Sequence, residues 1–375
     1  MKILIVDTYY EDFLKDFYQQ NTISKDNSYE IQKKYLINSC FGTSDFYSHN
    51  LNKIGVEAEE LIVNCSASQK RWAKENGFNF IDITSKIPYK FFKLPLIRNK
   101  VNQLRVDLSI ARKQIKKFCP DVLYCQDLSF FPGNVLDEIK KESQIKLVVG
   151  QIACPLPHES FLKPYDLIIT SLPHFVEKLN AMGKKSEYLK IGFDSRILNI
   201  LDKQERDIDF SFVGGISKHH NAALNNIEFL ISNANMRIYG YGVKNVPFNS
   251  CIKKNHGGLK WGLEMYKILA RTKISFNRHI NISENNANNM RLFEATGMGS
   301  LLLTDMKDNL KTMYKIDEEV VCYRSKEEAL EKVNFLINNE DKLLEIAKAG
   351  QARTLKEHTY EIRMKELIEI INNYI

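Results

Sequence analysis

Blocks of apolar residues punctuated by polar turns run the length of the chain, and their spacing changes from segment to segment. Short apolar runs predict strands at Lys2–Asp7, Glu57–Val63, Val122–Cys125, Lys146–Gln151 and Asp166–Thr170. Between them, apolar residues at three- and four-residue intervals predict helices at Glu11–Gln20, Ser44–Ile54, Ser66–Glu75, Val101–Phe118 and Gly133–Glu142. Residues 202–209 are polar and read as a linker. The alternation then restarts, with strands at Phe210–Val213, Arg237–Tyr241, Lys273–Asn277, Ser300–Thr304 and Glu319–Tyr323. Helices are expected among them at Ala222–Ser232, Gly262–Arg271 and Asn289–Thr296. Lys326 to Ile375 reads as nearly continuous helix with one break near Gly350.

Strands alternating with helices across short turns build parallel sheets covered on both faces. The expected class is therefore α/β: two Rossmann-like lobes, residues 1–195 and 196–345, with a deep cleft between them. The C-terminal helices, 346–375, are expected to cross back to the first lobe. A length of 375 residues suits two domains. Open sheets of this kind bind ligands beyond the carboxyl ends of their strands, so residues that follow strands carry the interest.

Composition adds little: 44% apolar and 26% charged residues are ordinary for a soluble globular chain. No apolar run approaches the ~18 residues of a spanning helix. The opening Met1-Lys2-Ile3-Leu4-Ile5-Val6-Asp7 reads as a first strand rather than a signal peptide. Seven cysteines without a CxxC pair point to reduced thiols in a cytoplasm, not to a disulfide framework or a metal site. Charge matters through its location. Lys86 to Lys117 holds ten Lys or Arg against the single acid Asp107, a local +9 within a total of +7, so the rest sums to −2.

The candidate chemistry follows strands. Gly214-Gly215-Ile216-Ser217-Lys218 leaves one strand ahead of a helix, where glycines let amides approach a phosphate and Lys218 adds charge. The same glycines also suit a tight turn, and without GxGxxG the dinucleotide fingerprint is absent. Tyr241 closes the next strand, and Arg278 follows the one after. The densest segment runs from Asn288 to Asp305: a short helix opened by Asn289 and closed by Gly297, then an apolar strand. Arg291 and Glu294 lie three apart on one helix face. Glu294 can accept two hydrogen bonds from a ribose diol, and Arg291 can clamp a diphosphate. On spacing alone, a surface Arg–Glu pair on an ordinary helix is the favoured reading.

That segment resembles the nucleotide-sugar-binding block of GT-B glycosyltransferases of the group 1 type, in their spore-maturation (CgeB-like) branch. The resemblance extends to Phe212-Val213-Gly214-Gly215, Tyr239-Gly240-Tyr241-Gly242, Asn277-Arg278-His279-Ile280, and the tail from Ile346 through Glu357-His358-Thr359-Tyr360 to Arg363. In the first lobe it covers Phe41-Gly42-Thr43-Ser44-Asp45-Phe46-Tyr47 and Gln69-Lys70-Arg71-Trp72-Ala73. It implies a GT-B fold and a nucleotide-sugar donor held by Gly214, Gly215, Lys218, Tyr241, Arg278, Asn289, Arg291, Glu294 and Gly297. It also implies metal-independent transfer, with retention of configuration favoured. One position departs: many group 1 enzymes carry a first Glu eight residues before the ribose Glu, where this chain has Asn286.

The first lobe is then expected to face a saccharide or lipid-linked acceptor. Strand ends offer Asp127, His158 and His174 as candidate catalytic groups, with Asp7, Tyr9, Tyr10, Gln151 and Glu159 nearby. Asp127 equally suits a helix cap. No DxD follows a strand, so neither a metal nor a cofactor besides the donor is expected. The basic, aromatic stretch 86–117 suits an anionic membrane surface or a solvated helix; nucleic acid is disfavoured because the excess is local. The expectation is a cytoplasmic glycosyltransferase, peripheral to a membrane if that stretch docks, in surface polysaccharide or glycoconjugate synthesis. A sugar-nucleotide epimerase of the same fold and a non-catalytic sugar-nucleotide-binding protein are the alternatives.

Overall fold

The computed structural model describes residues 1–20, 23–80, 105–216 and 221–375. Its contacts divide the chain into two compact units. Unit 1 comprises residues 1–170, 175–188 and 364–375; unit 2 comprises 171–174 and 189–363.

Unit 1 is built on β1 (Lys2–Asp7), β2 (Glu57–Ile62), β3 (Val122–Cys125), β4 (Leu147–Ile152), β5 (Leu167–Thr170) and β6 (Ser186–Tyr188). They form one parallel sheet in the order β2-β1-β3-β4-β5-β6. Ile3, Ile5, Leu123, Val149 and Ile168 are fully buried, which is why the central strands are apolar on both faces. The helices are α1 (Glu11–Gln20), α2 (Tyr29–Asn38), α3 (Phe46–Lys53), α4 (Ser66–Glu75), α5 (Val106–Phe118), α6 (Gly133–Glu142) and α7 (Pro173–Ala181), the last belonging to unit 1 from Phe175. Helix α2 was not expected from the sequence, because it buries the polar Gln32 between Tyr29 and Leu36 and so blurs its apolar stripe. Gln32 is satisfied there by the carbonyls of Lys25 and Asn27 at 3.0 and 2.7 Å.

Unit 2 carries β7 (Ile208–Val213), β8 (Arg237–Tyr239), β9 (Thr272–Asn277), β10 (Leu301–Asp305) and β11 (Val321–Tyr323), in the parallel order β11-β10-β9-β7-β8. Its helices are α8 (Asn221–Ala234), α9 (Gly262–Arg271), α10 (Arg291–Gly297), α11 (Lys326–Ile337) and α12 (Glu340–Glu357). The last helix, α13 (Tyr360–Asn372), begins in unit 2 and from Met364 belongs to unit 1. Strand β7 starts inside the stretch read as linker: Ile208 and Phe210 are buried and only Asp209 between them is exposed. Gly350 does not break the tail. A Cβ on it would lie 2.2 Å from the Glu319 carbonyl oxygen, so its missing side chain lets α12 press onto that backbone. The tail breaks instead at Asn338-Asn339 and His358-Thr359, where the helices end.

Both sheets reverse strand order beside their first strand. The switch points are β1/β3 in unit 1 and β7/β9 in unit 2.

The motif His358-Thr359-Tyr360…Arg363 proves to be a packing device of unit 2. His358 donates from Nε2 to the Met313 carbonyl at 3.0 Å and accepts at Nδ1 from Arg363 at 2.8 Å. Burial, then the Arg363 charge, pushes its imidazole down to about 4. An unfolded histidine takes up its proton near pH 6.5, so this neutral ring stabilises the fold fully above that pH and loses its contribution as the pH falls through 4. The expected loss between pH 7 and 4 is about 3 kcal/mol at most. Urea unfolding at the two pH values, compared with His358→Gln, measures it; a wild-type decrement no larger than the variant's contradicts it.

Of the basic stretch, residues 81–104 lie outside the described residues. Most described cations have partners: Arg105 with Asp107, Arg112 with Glu138 and Glu142, Lys113 over the Phe78 ring, and Lys117 with Asn76 and the Trp72 ring. In this part the solvated-helix reading accounts for the charges. Among the described residues no helix is long and apolar enough to cross a membrane.

Candidate functional site

The unit 2 switch point gathers most of the expected donor residues. β7 ends at Val213, and Gly214 and Gly215 continue alongside β8: the Gly214 amide donates to the Tyr239 carbonyl at 3.0 Å and the Ile216 amide to Tyr241 at 2.8 Å. These two amides are thereby committed to the sheet rather than to an anion. The glycines are needed for close packing, since a Cβ on Gly215 would lie 2.3 Å from the Tyr241 ring and one on Gly214 2.9 Å from Phe212. Lys218 lies outside the described residues. Tyr241 stacks on Trp261, with ring centroids 5.4 Å apart and planes inclined by 18°. Together they make an aromatic wall beyond the carboxyl end of β8. Trp261 was not expected in the site, because nothing but its aromaticity marks it in the sequence.

Glu294 is 3% exposed on α10. Its Oε1 accepts from the Tyr266 hydroxyl at 3.2 Å, and its Oε2 pairs with Arg291 Nη1 at 2.8 Å. Arg291 also donates from Nε to the Val213 carbonyl at 3.1 Å, so it ties α10 to the end of β7. Each Glu294 oxygen keeps one lone pair beyond these bonds, enough for one hydroxyl apiece. Arg291 is more committed than expected and serves first to neutralise Glu294. Asn289 links β9 to α10: Nδ2 donates to Asn277 Oδ1 at 2.9 Å, and Oδ1 accepts from the Leu292 amide at 3.2 Å. The helix ends at Gly297 as expected, the left-handed residue that follows its cap is Gly299 at φ +73°, and Gly297 lies flat on the Phe193 ring, 2.5 Å from where its Cβ would stand.

Arg278 follows β9 as expected. Its Nη1 is buried without a hydrogen-bond partner among the described residues, and its charge is felt by Tyr323 at the end of β11. A guanidinium nitrogen left without an acceptor at the ligand-binding edge of a sheet suits an anion. Next to it, His279 donates Nδ1–H to Asp305 at 2.7 Å. Burial is the largest influence on Asp305 and opposes its charge, but the His279 bond, the His279 and Lys307 charges and the His279 amide together hold the carboxyl below its ordinary range.

His174 also belongs to unit 2. Nε2 donates to the Ile282 carbonyl at 3.1 Å and Nδ1 accepts from Asn286 Nδ2 at 3.0 Å. Both ring nitrogens are engaged, which leaves no lone pair for a proton and makes the ring a brace for residues 282–286. Asn286, standing where the resemblance asks for Glu, is its partner.

In unit 1 the switch point collects a second polar cluster. Asp127 follows β3 and accepts three hydrogen bonds: Oδ2 from Thr8 Oγ1 at 2.9 Å, and Oδ1 from the Ser129 amide and hydroxyl at 2.8 and 2.6 Å. Its geometry is that of a turn cap. Gln151, at the end of β4, accepts from Tyr47 and Tyr124 at 3.2 and 2.8 Å. His158 caps the short helix Glu159–Phe161 by accepting from the Ser160 amide at 3.2 Å, and is exposed.

Known proteins bear on both units. Residues 220–369, two-fifths of the chain, match a protein family described as "Glycosyl transferase-like". No curated protein matches the chain. Among solved structures, Anabaena Alr3699/HepE in complex with UDP-glucose aligns over 100% of both chains at TM-score 0.60 and 11% identity. A glycosyltransferase from Rickettsia africae covers 100% of this chain and 98% of its own at TM-score 0.58 and 11% identity. Sucrose-phosphate synthase from Thermosynechococcus elongatus does so at TM-score 0.57 and 9% identity, again over 100% and 98%. At such identities the likeness is one of fold, and the fold, two parallel α/β sheets followed by a helical tail, is that of GT-B glycosyltransferases.

Proposed function

We propose that the chain is a glycosyltransferase that takes a sugar from a nucleotide-sugar donor held by unit 2 and passes it to a hydroxyl of a saccharide or lipid-linked acceptor. Surface polysaccharide or glycoconjugate synthesis is the role that the resemblance to the CgeB-like branch supports. The observation that carries the reading is the carboxyl end of the unit 2 sheet: a buried carboxylate with two spare lone pairs on α10, an aromatic wall beyond β8, and, after β9, an Arg278 guanidinium nitrogen without a partner among the described residues. These match, in order, the ribose diol, the base and the diphosphate of a nucleotide sugar. The family match over residues 220–369 takes in Tyr241, Trp261, Arg278 and Glu294, with β9 but not β7. Negative charge grows on the diphosphate as the sugar leaves, and Arg278 is the cation placed to take it.

The test is release of nucleoside diphosphate from UDP-glucose, UDP-N-acetylglucosamine and GDP-mannose, with and without simple glycosides as acceptors. Release that rises on adding a glycoside is expected. Binding of donors without release under any condition favours the binding-protein alternative, and interconversion of the donor sugar favours the epimerase.

A further inference from the structure

Within unit 1, one face of the sheet carries two acids that no cation among the described residues neutralises. β1 pairs with β2 so that Ile5 lies opposite Glu60 and Asp7 opposite Ile62, which puts Asp7 and Glu60 on the same face, two residues apart. Glu60 is 4% exposed, and its Oε1 accepts from the Ser48 amide of α3 at 3.1 Å. Asp7 is half-buried, and its Oδ1 accepts from the Thr8 amide at 2.7 Å. Neither carboxyl has an ion pair among the described residues. The charges that act most on each are negative: Asp127 on Asp7, then Asp7 and Asp45 on Glu60. Two orphaned groups close on the same place. The Tyr9 hydroxyl has no partner among the described residues on a side chain 3% exposed, and Asp7 and Glu60 are the charges it feels most. Gln126 lies two residues beyond Tyr124, which pairs with Ile5, and its amide continues the ladder to the Val6 carbonyl at 2.9 Å. Its Oε1 accepts from Thr43 at 2.8 Å, while its Nε2 is buried without a partner among the described residues. Buried polar groups are otherwise nearly always bonded, so a phenol and an amide left open beside two acids mark a place for a ligand.

We propose that this face of unit 1 binds an amino sugar, with the ligand's ammonium between Asp7 and Glu60 and its hydroxyls on Tyr9 and Gln126. The site lies wholly within unit 1; it rests on the glycosyltransferase reading above for the sugar, whereas the ammonium follows from the two acids. A neutral sugar satisfies the phenol and the amide but leaves the acids uncompensated. An ammonium carries three donors and the missing charge. A metal ion fits less well, since among the described residues no three His, Cys, Asp or Glu side chains are grouped to hold one.

The electrostatics give the proposal a signature of its own. Burial pushes the Asp7 carboxyl up to about 7, with the Asp127 charge adding and the Thr8 amide opposing, and burial holds Glu60 well above its ordinary range. The other titratable groups that face the pair are Asp45 ahead of α3, Tyr9 beyond β1 and Tyr47 of α3, the two phenols themselves raised by burial. A cation beside a carboxyl favours its ionised form. Binding of an ammonium near pH 7 therefore expels protons, and binding of a neutral sugar does not.

The experiment is calorimetric titration of the full chain with glucosamine, glucose and N-acetylglucosamine at pH 7, in two buffers of different ionisation heat. Wild type is expected to bind glucosamine at least about tenfold more tightly than either neutral sugar, the least that one close charge pair supplies, and to release protons as it does. Asp7→Asn and Glu60→Gln keep the side-chain shape and remove an acid; each should lose most of that preference and of the proton release. Tyr9→Phe should weaken glucosamine and glucose alike. Equal affinity for the three sugars, or glucosamine binding without proton release, overturns the proposal, and this wild-type comparison stands even if a variant fails to fold. Folded variants that keep the preference overturn the site. A wild type that binds a nucleoside diphosphate but no glucosamine overturns the proposal and leaves the donor reading intact. One that binds glucosamine in this way but none of UDP, GDP and ADP supports the site and overturns the donor reading.

Discussion

Replacing Arg291 by methionine is expected to destabilise unit 2 by about 3–5 kcal/mol. Glu294 is 3% exposed, and its charge is tolerable only because Arg291 Nη1 stands 2.8 Å away and the Tyr266 hydroxyl supplies a second bond. Methionine keeps much of the volume but strands that carboxylate in a low-dielectric surrounding. It also leaves the Val213 carbonyl without the Nε donor at 3.1 Å. The damage is then specific to charge, which a double-mutant cycle exposes. Adding Glu294→Gln to Arg291→Met should return a large part of the loss, because a neutral amide needs no cation. Urea unfolding of wild type, both single variants and the double variant gives the coupling; additive single effects would show that the pair is not coupled.

Replacing Arg363 by methionine is expected to cost a comparable amount, again about 3–5 kcal/mol. Arg363 is 2% exposed, and its guanidinium satisfies the carbonyls of Ile191 and Glu357, each at 3.1 Å, as well as His358 Nδ1. Each of those acceptors loses a donor at once, and leaving a buried polar atom unsatisfied costs about 1–3 kcal/mol. Arg363 binds the strand-like segment around Phe193, whose bridge to Thr359 brings the tail onto it, and the hydroxyl cluster of Thr296, Tyr314 and Thr354 packs nearby against α10. A drop in the melting temperature on the order of 10 °C is expected. A drop of only one or two degrees would mean that the three acceptors find other donors.

The sequence made the strands and most helices legible because parallel strands buried on both faces are apolar runs that little else imitates. It failed where burial was polar or where a glycine served packing. Gln32 hid α2, Asp209 disguised the start of β7, and Gly350 imitated a helix stop while serving as a contact surface. Within the donor site, Arg291, Glu294 and Arg278 were visible as residues after strands. What the sequence could not convey was commitment: Arg291 spends itself on Glu294 and Val213, and Gly214 spends its amide on the sheet. Trp261 and Tyr266 were missed because their roles depend on contacts with Tyr241 and Glu294 from elsewhere in the chain. On the acceptor side, Asp127 was visible at the end of a strand, but its bonds from Thr8 and Ser129 were not.

The central claim is that unit 2 holds a nucleoside diphosphate through Glu294 at the end of its sheet. Calorimetric titration of the full chain with UDP, GDP and ADP tests it most directly, repeated with Glu294→Gln, a variant that keeps the shape while removing the charge and turning one acceptor oxygen into a donor. At least one diphosphate is predicted to bind the wild type, and to bind the variant at least about tenfold more weakly, a difference of about 1.4 kcal/mol. Wild type that binds none of the three, or a variant that binds as tightly as wild type, would contradict the account.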